Sequence, residues 1–94
     1  MYDLTIKPSV DKIFKKLAKK NRKQLVTIHK KILEIRNHPD HHYKHLHAPL
    51  QEFYGIHINT HFVLIFTIDH HKKTVEIYYF DHHDNVYKWR ESEK

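Results

Sequence analysis

The chain has 94 residues, with 17 Lys and Arg against 11 Asp and Glu, a net charge of +6 and a pI near 9.5. It has no cysteine, which excludes disulfides, thiolate metal sites and cysteine nucleophiles. The length suits one domain, 1–94, with a modest core, and no apolar run reaches the roughly 18 residues of a membrane span.

The opening MYDLTIKP lacks the charged-then-apolar layout of a signal peptide, so a cytoplasmic protein with no membrane partner is expected. Tyr2 to Ile6 reads as a first strand. Pro8 breaks it, and Ser9 is the expected N-cap of a helix. Val10, Ile13, Phe14 and Leu17 then fall on one helical face. Asn21, with Gln24 three residues on, has the spacing of a capping box. Leu25, Ile28, Ile32 and Ile35 form a second apolar stripe, which His38-Pro39 ends. So short a link predicts an antiparallel helical hairpin.

Residues 39–50 show neither period and are expected to form a loop. Strand character resumes at Phe53 to Ile58. Gly55, the one glycine, suggests a bulge or a close backbone approach there. Asn59-Thr60 is expected to be a two-residue turn, pairing Ile58 with His61 and His57 with Phe62. His61 to Asp69 is apolar on both faces, as in a central strand covered on both sides. His70 to Lys73 makes a turn, Thr74 to Phe80 a fourth strand, and the tail is short and charged. The class is α+β, in the order β-α-α-β-β-β: a helical hairpin on a small, mostly antiparallel sheet.

Charge and histidine are segregated. Residues 1–36 hold eleven basic residues and three acids, whereas residues 37–94 hold six and eight. Eleven of the twelve histidines lie from His38 to His83. The basic half fits either a polyanion-binding surface or a solvated lysine-rich helix face. The histidines invite a metal, but the two DHH triplets, Asp69–His71 and Asp81–His83, flank a strand. At about 3.3 Å per residue they stand roughly 20 Å or more apart, too far for one ion. No metal site and no cofactor is assigned. The first triplet reads as solvated turn chemistry.

Antiparallel geometry gathers His57, His61, His82, His83 and Tyr87 at one end of the sheet. Imidazole, with an ordinary pKa of about 6.5, moves protons near neutral pH. RNA is cleaved without metal when a base takes the ribose 2′-OH proton and an acid protonates the leaving 5′-oxygen. A nearby cation stabilises the phosphate charge, and an aromatic ring stacks on a base. Ordinary exposed loop-end histidines are the other reading of the same cluster.

Three segments resemble the RelE/ParE toxin superfamily, and most of all its YafQ branch. They are LHAPL (Leu46 to Leu50), HINTHFVLIFTID (His57 to Asp69) and DHHDNVY (Asp81 to Tyr87). The expected element order is also that of the superfamily over the whole chain. The resemblance implies a metal-independent endoribonuclease, an mRNA interferase acting on mRNA at the ribosome and restrained by a cognate antitoxin. An acidic, helical antitoxin segment is expected. His57 and His83 match catalytic histidines, with His83 a candidate general acid. Tyr87 matches a terminal aromatic, and His47, near Pro49, a further active-site histidine. His61 stands where the branch often has an acid. Lys12, Lys15, Lys16, Lys19, Lys20, Arg22, Lys23, Lys30 and Lys31 would meet ribosomal RNA. Lys44 is the nearest cation in sequence to the site, because no arginine lies between Arg36 and Arg90. The alternatives are a ParE-like toxin acting on DNA gyrase and a basic RNA-binding module without catalysis.

Overall fold

The computed structural model describes residues 1–91. The end of the charged tail, residues 92–94, lies outside them.

Strand β1 (Asp3–Ile6) leads into helix α1 (Pro8–Lys20), and helix α2 (Arg22–Asn37) follows after one residue. Pro8 opens α1 instead of standing before it. Lys7 is the N-cap and makes no side-chain cap bond, so Ser9 falls within the first turn. The reason is that proline lacks only an N–H that the first turn leaves unpaired anyway, and its φ is already helical. Asn21 does cap α2: its Oδ1 accepts the Gln24 N–H at 3.2 Å. The return half of the capping box is missing, because the Gln24 amide instead donates to Asn59 Oδ1 at 3.4 Å. A local cap has thereby become a tie between α2 and the sheet.

Strands β2 (Tyr54–Ile58), β3 (Phe62–Asp69) and β4 (Thr74–His82) follow, and then a single-turn helix α3 (His83–Val86). The sheet order is β1-β4-β3-β2, with β1 parallel to β4 and the other pairs antiparallel. This is the expected α+β arrangement, a helical hairpin on a mostly antiparallel sheet. The two helices carry the chain across to β2 at the far edge, and the two antiparallel hairpins then bring β4 back beside β1 and parallel to it.

Both faces of β3 are covered, as its continuous apolar run requires. On one face Leu64 and Phe66 pack with Val10, Phe14, Ile28, Ile32, Ile35, Val75 and Ile77. On the other, Val63 and Ile65 pack with Leu50, Phe53 and Val86. This second layer comes from the loop before β2 and from the chain end. The tail is therefore more than a charged extension. The Trp89 ring stacks on Tyr79 at 5.5 Å and meets Phe53 edge-on at 5.2 Å.

Gly55 is the site of a close approach but not of a bulge. A Cβ there would stand 2.6 Å from Leu46 Cδ2 and 3.2 Å from Val63 Cγ1. The register shift lies farther on, between Ile65 and Phe66 opposite β4. Ile65 pairs with Tyr79 and Phe66 with Ile77, which leaves Tyr78 as the extra residue. As a result Tyr78 and Tyr79 both pack on the second layer. The expected loop of residues 39–50 also touches the sheet, through an isolated bridge between His45 and Tyr54.

Candidate active site

The β2–β3 connection is one residue longer than expected. Ile58 pairs with Phe62 and His57 with Val63, leaving Asn59, Thr60 and His61 in the turn. Asn59 takes the left-handed conformation, φ 58°, which asparagine tolerates better than most residues. The two-residue pairing would have set Ile58 opposite His61 and exchanged Phe62 for Val63 across from His57. Burial of Ile58 with Leu64 and Phe66 fixes the observed register instead, since a one-residue slip exchanges the two faces of a strand. His61 is thereby released from the alternation of β3.

Strand β4 runs two residues past the expected Phe80, so Asp81 and His82 are in the sheet and His83 begins α3. The His82 ring caps α3, its Nδ1 accepting the Asp84 N–H at 3.1 Å. The His61 carbonyl accepts the His83 N–H at 2.8 Å, which pins the turn to the start of the helix. Three imidazoles consequently meet. The His82 and His83 ring centroids are 4.6 Å apart, and His61 lies 5.8 Å from each. Asp84 lies beside both neighbours, with Oδ2 3.5 Å from His82 Nδ1 and Oδ1 3.2 Å from His83 Nδ1.

One helical turn beyond His83, Tyr87 reaches a different partner. Its hydroxyl accepts the His47 N–H at 2.9 Å, and the two rings stack at 6.2 Å. Residues i and i+4 share a side of a helix, so His83 and Tyr87 form one edge of α3. The rings of His61, His83, Tyr87 and His47 thus follow one another from the hairpin turn to the loop before β2. His57 does not join the imidazole cluster. It is exposed on β2, in a cross-strand row with Val63 and Asp81. Two strand spacings of about 4.8 Å put the His57 and Asp81 backbones roughly 10 Å apart. The expected five-residue gathering is therefore a tight trio at the rim plus His57 and Tyr87 nearby.

Two recesses adjoin these residues. One, of about 350 Å³, is lined by Asn21, Lys23, Gln24, Asn59, His61 and Phe62 among others. The second, of about 500 Å³, includes Lys31, His41, His42, Lys44, Ile56 and His57. Lys23 is the cation that sequence order concealed: it is distant along the chain from every candidate histidine, yet the Gln24–Asn59 tie brings it beside His61. Arg22 and Lys30 are exposed on α2. Lys12, Lys15, Lys16, Lys19 and Lys20 are exposed on α1 and line neither recess.

The first triplet has the hydrogen bonds of a turn. Asp69 Oδ1 accepts the His71 and Lys72 N–H groups at 3.0 and 2.9 Å. These bonds, that from Lys72 foremost, hold the Asp69 carboxyl below its ordinary range. At the second triplet Tyr79 donates to Asp81 Oδ2 at 2.7 Å. That bond to Asp81, followed by burial, raises the Tyr79 hydroxyl from 10.0 to about 12. A raised pKa contributes stability below the unfolded value, near 10, and the contribution is lost as pH climbs through about 12. In an ultraviolet titration of the six tyrosines, the last to ionise disappears in Tyr79→Phe. A high-pH limb unchanged by that substitution refutes the assignment.

No protein-family model matches the chain. A Methanocaldococcus jannaschii protein named "Putative toxin RelE4" is 52% identical over 88 residues, 94% of this chain and 93% of its own. The chain belongs to the RelE/ParE toxin superfamily. Solved members have the same fold at lower identity. The YoeB–YefM complex from Staphylococcus aureus matches with a TM-score of 0.72 and 21% identity, over 88% of this chain and 98% of that one. A mutant of the E. coli toxin RelE in the free state matches with a TM-score of 0.68 and 21% identity, over 93% and 90%. The RelE resemblance of the three segments thus extends over nearly the whole chain. Among the described residues, no helix is long and apolar enough to cross a membrane.

Proposed function

We propose that residues 1–94 form one RelE-like toxin domain of a toxin–antitoxin pair, an endoribonuclease that cuts mRNA without a metal ion. The observation that carries this reading is the contact of His61 with His83 and of Tyr87 with His47, with an exposed His57 in the cross-strand row of Asp81, in a member of a toxin superfamily. The residues suit general acid–base chemistry, and the sequence holds no thiol for a nucleophilic route.

In-line displacement at phosphorus needs its base and its acid on opposite sides of the reacting atom. His61 and His83 lie side by side, which leaves little room for a phosphate between them. His57, across β3, is the better base. It takes the 2′-OH proton; the 2′-oxygen attacks phosphorus as the bond to the 5′-oxygen breaks, and His83 returns a proton to that oxygen. The products are a 2′,3′-cyclic phosphate and a 5′-OH. His61 then acts as a positioning residue for His83. Lys23 and Lys44, in the two recesses, are placed to offset developing phosphate charge. Tyr87, held by the His47 backbone, offers a ring for stacking on a base. The exposed lysines of α1 suit the ribosomal RNA beyond the cut.

The partner is a cognate antitoxin with an acidic, helical segment. The existence of such a partner is supported by the solved YoeB–YefM toxin–antitoxin complex, which has the same fold. The YafQ-like assignment rests on the histidines, which match that branch more closely than an arginine-based site.

The test is induced expression with mapping of mRNA 5′ ends, followed by cleavage of ribosome-bound mRNA in vitro. New 5′-OH ends that persist in chelator are expected. Growth arrest without new RNA ends would instead favour the gyrase-directed alternative. RNA binding with neither cleavage nor arrest would leave only a binding module.

A further inference from the structure

The trio of His61, His82 and His83 has a second capability. Each of the three side chains offers a donor nitrogen, and these donors lie within 4.8 Å of one another. Among the described residues, this is the one group of three potential ligands so close together. Zinc bound by imidazole at about 2.0–2.1 Å in tetrahedral geometry brings its nitrogens to about 3.3 Å from one another. The needed closure is small. His61 and His83 are exposed and their rings can turn, while the His83 N–H bond to the His61 carbonyl holds the two backbones together.

The surroundings are those of a metal-binding histidine. Such a ring usually donates its second N–H to a carboxylate, which fixes the tautomer and raises the basicity of the ligating nitrogen. Asp84 is within 3.5 Å of His82 Nδ1 and 3.2 Å of His83 Nδ1. Rings held in this way would offer Nε2 to the ion. Ligation through Nε2 would convert His82 Nδ1 from acceptor of the Asp84 N–H into donor to the Asp84 carboxylate. Three neutral nitrogens with an open fourth position suit a borderline divalent ion such as zinc, not the oxygen-seeking magnesium or calcium.

We propose that this trio is a three-histidine site for a divalent ion of the zinc class, and that the bound ion switches off RNA cleavage. The inhibitory half rests on the reading of His83 as general acid. A metal occupies the lone pair through which the His83 ring would carry its proton, so metal and proton transfer exclude each other. The histidine-dense loop of residues 38–47 has no comparable convergence of three donors among the described residues.

Cobalt is the probe, because its visible absorption reports tetrahedral nitrogen ligation, and zinc serves as competitor. One equivalent of cobalt is expected to bind and to be displaced by zinc. Asp84→Asn weakens binding by about 10–100-fold, the usual cost of an outer-shell change. His82→Gln removes a ligand and weakens it further. The double substitution His41→Gln, His42→Gln leaves the absorption intact. Equal cobalt spectra in His82→Gln and the parent would overturn the site. If His82→Gln fails to fold, His61→Gln, on the exposed turn, decides the same point. For the switch, RNA cleavage is compared with and without one equivalent of zinc. A loss of at least about tenfold, restored by chelator and much reduced in His82→Gln relative to that variant's own metal-free rate, is expected. Cleavage unaffected by bound zinc would overturn inhibition. If the protein cleaves no RNA under any condition, the nuclease reading fails, while the cobalt titration still decides the metal site.

Discussion

His83→Ala is expected to slow RNA cleavage by about 10²–10⁴-fold, the range that a positioned general acid contributes. The effect should lie in the cleavage step, because the imidazole supplies a proton that the 5′-oxygen needs only as its bond to phosphorus breaks. Stability should scarcely change. The His83 side chain is 47% exposed, and the bond to the His61 carbonyl uses its backbone N–H, which alanine retains. A thermal melt within a few degrees of the parent, together with loss of growth arrest and of new mRNA 5′ ends, is the expected pair of results. Undiminished cleavage by a folded His83→Ala protein would remove His83 from the chemistry. His57→Ala should match it in size if His57 is the base, whereas His61→Ala, acting through His83, should cost less.

Phe53→Ala is expected to lower stability by about 3–5 kcal/mol, the usual cost of truncating a buried phenylalanine. Phe53 is 3% exposed and meets Tyr78 and Trp89 edge-on at 5.0 and 5.2 Å. It belongs to the smaller layer, whose other buried members among the described residues are Leu50, Val63, Ile65 and Val86. So thin a layer has few side chains that can move in to fill the space. A small domain has about 5–15 kcal/mol in all, so the change takes a large share. With about 4–8 °C of Tm per kcal/mol at this size, the melting temperature should fall by roughly 12 °C or more. Phe53 also binds the loop through its backbone, accepting the Leu46 N–H at 2.9 Å and donating to Leu50 at 3.0 Å. Loosening there should reach His47 and, through it, the Tyr87 hydroxyl. Denaturant unfolding of Phe53→Ala and Phe53→Leu provides the check. A loss under 1 kcal/mol in the alanine variant would mean that the second layer is not a cooperative part of the core.

The two helices were legible because their signals are local. Val10, Phe14, Ile28, Ile32 and Ile35 repeat at the helical period and are all buried. Asn21 is the cap that its spacing with Gln24 indicates. The start of α1 was misjudged by two residues, with Lys7 and not Ser9 as the N-cap, because Pro8 and Ser9 both suit a first turn and only the backbone chooses between them. The Asn59 turn was misjudged for a different reason. Turn length there depends on which faces of β2 and β3 are buried, and that depends on helices far away in sequence. The bulge at Tyr78 and the packing of Trp89 are likewise results of the second layer, which no periodicity announces.

For the site, His47, His57, His61, His83 and Tyr87 were all recognisable as candidates. Which of them touch was not. His57 was grouped with the trio because antiparallel hairpin geometry alone brings it to the same end of the sheet. His82 was gathered with the others but given no role, because the motif match falls on His83; its ring neighbours His61 and His83 appear only in the fold. Lys23 was one more surface lysine until the Gln24 amide found Asn59.

The order of elements, the apolar stripes, the capped second helix and the supply of imidazoles were written in the order of the amino acids, because each arises from steric and hydrogen-bonding preferences within a few residues. The length of the β2–β3 turn, the covering of the sheet's second face and the meeting of His61, His82 and His83 were decided only by tertiary structure. Each of these depends on burying apolar side chains distant in the sequence against one another, and that sum has no local signature.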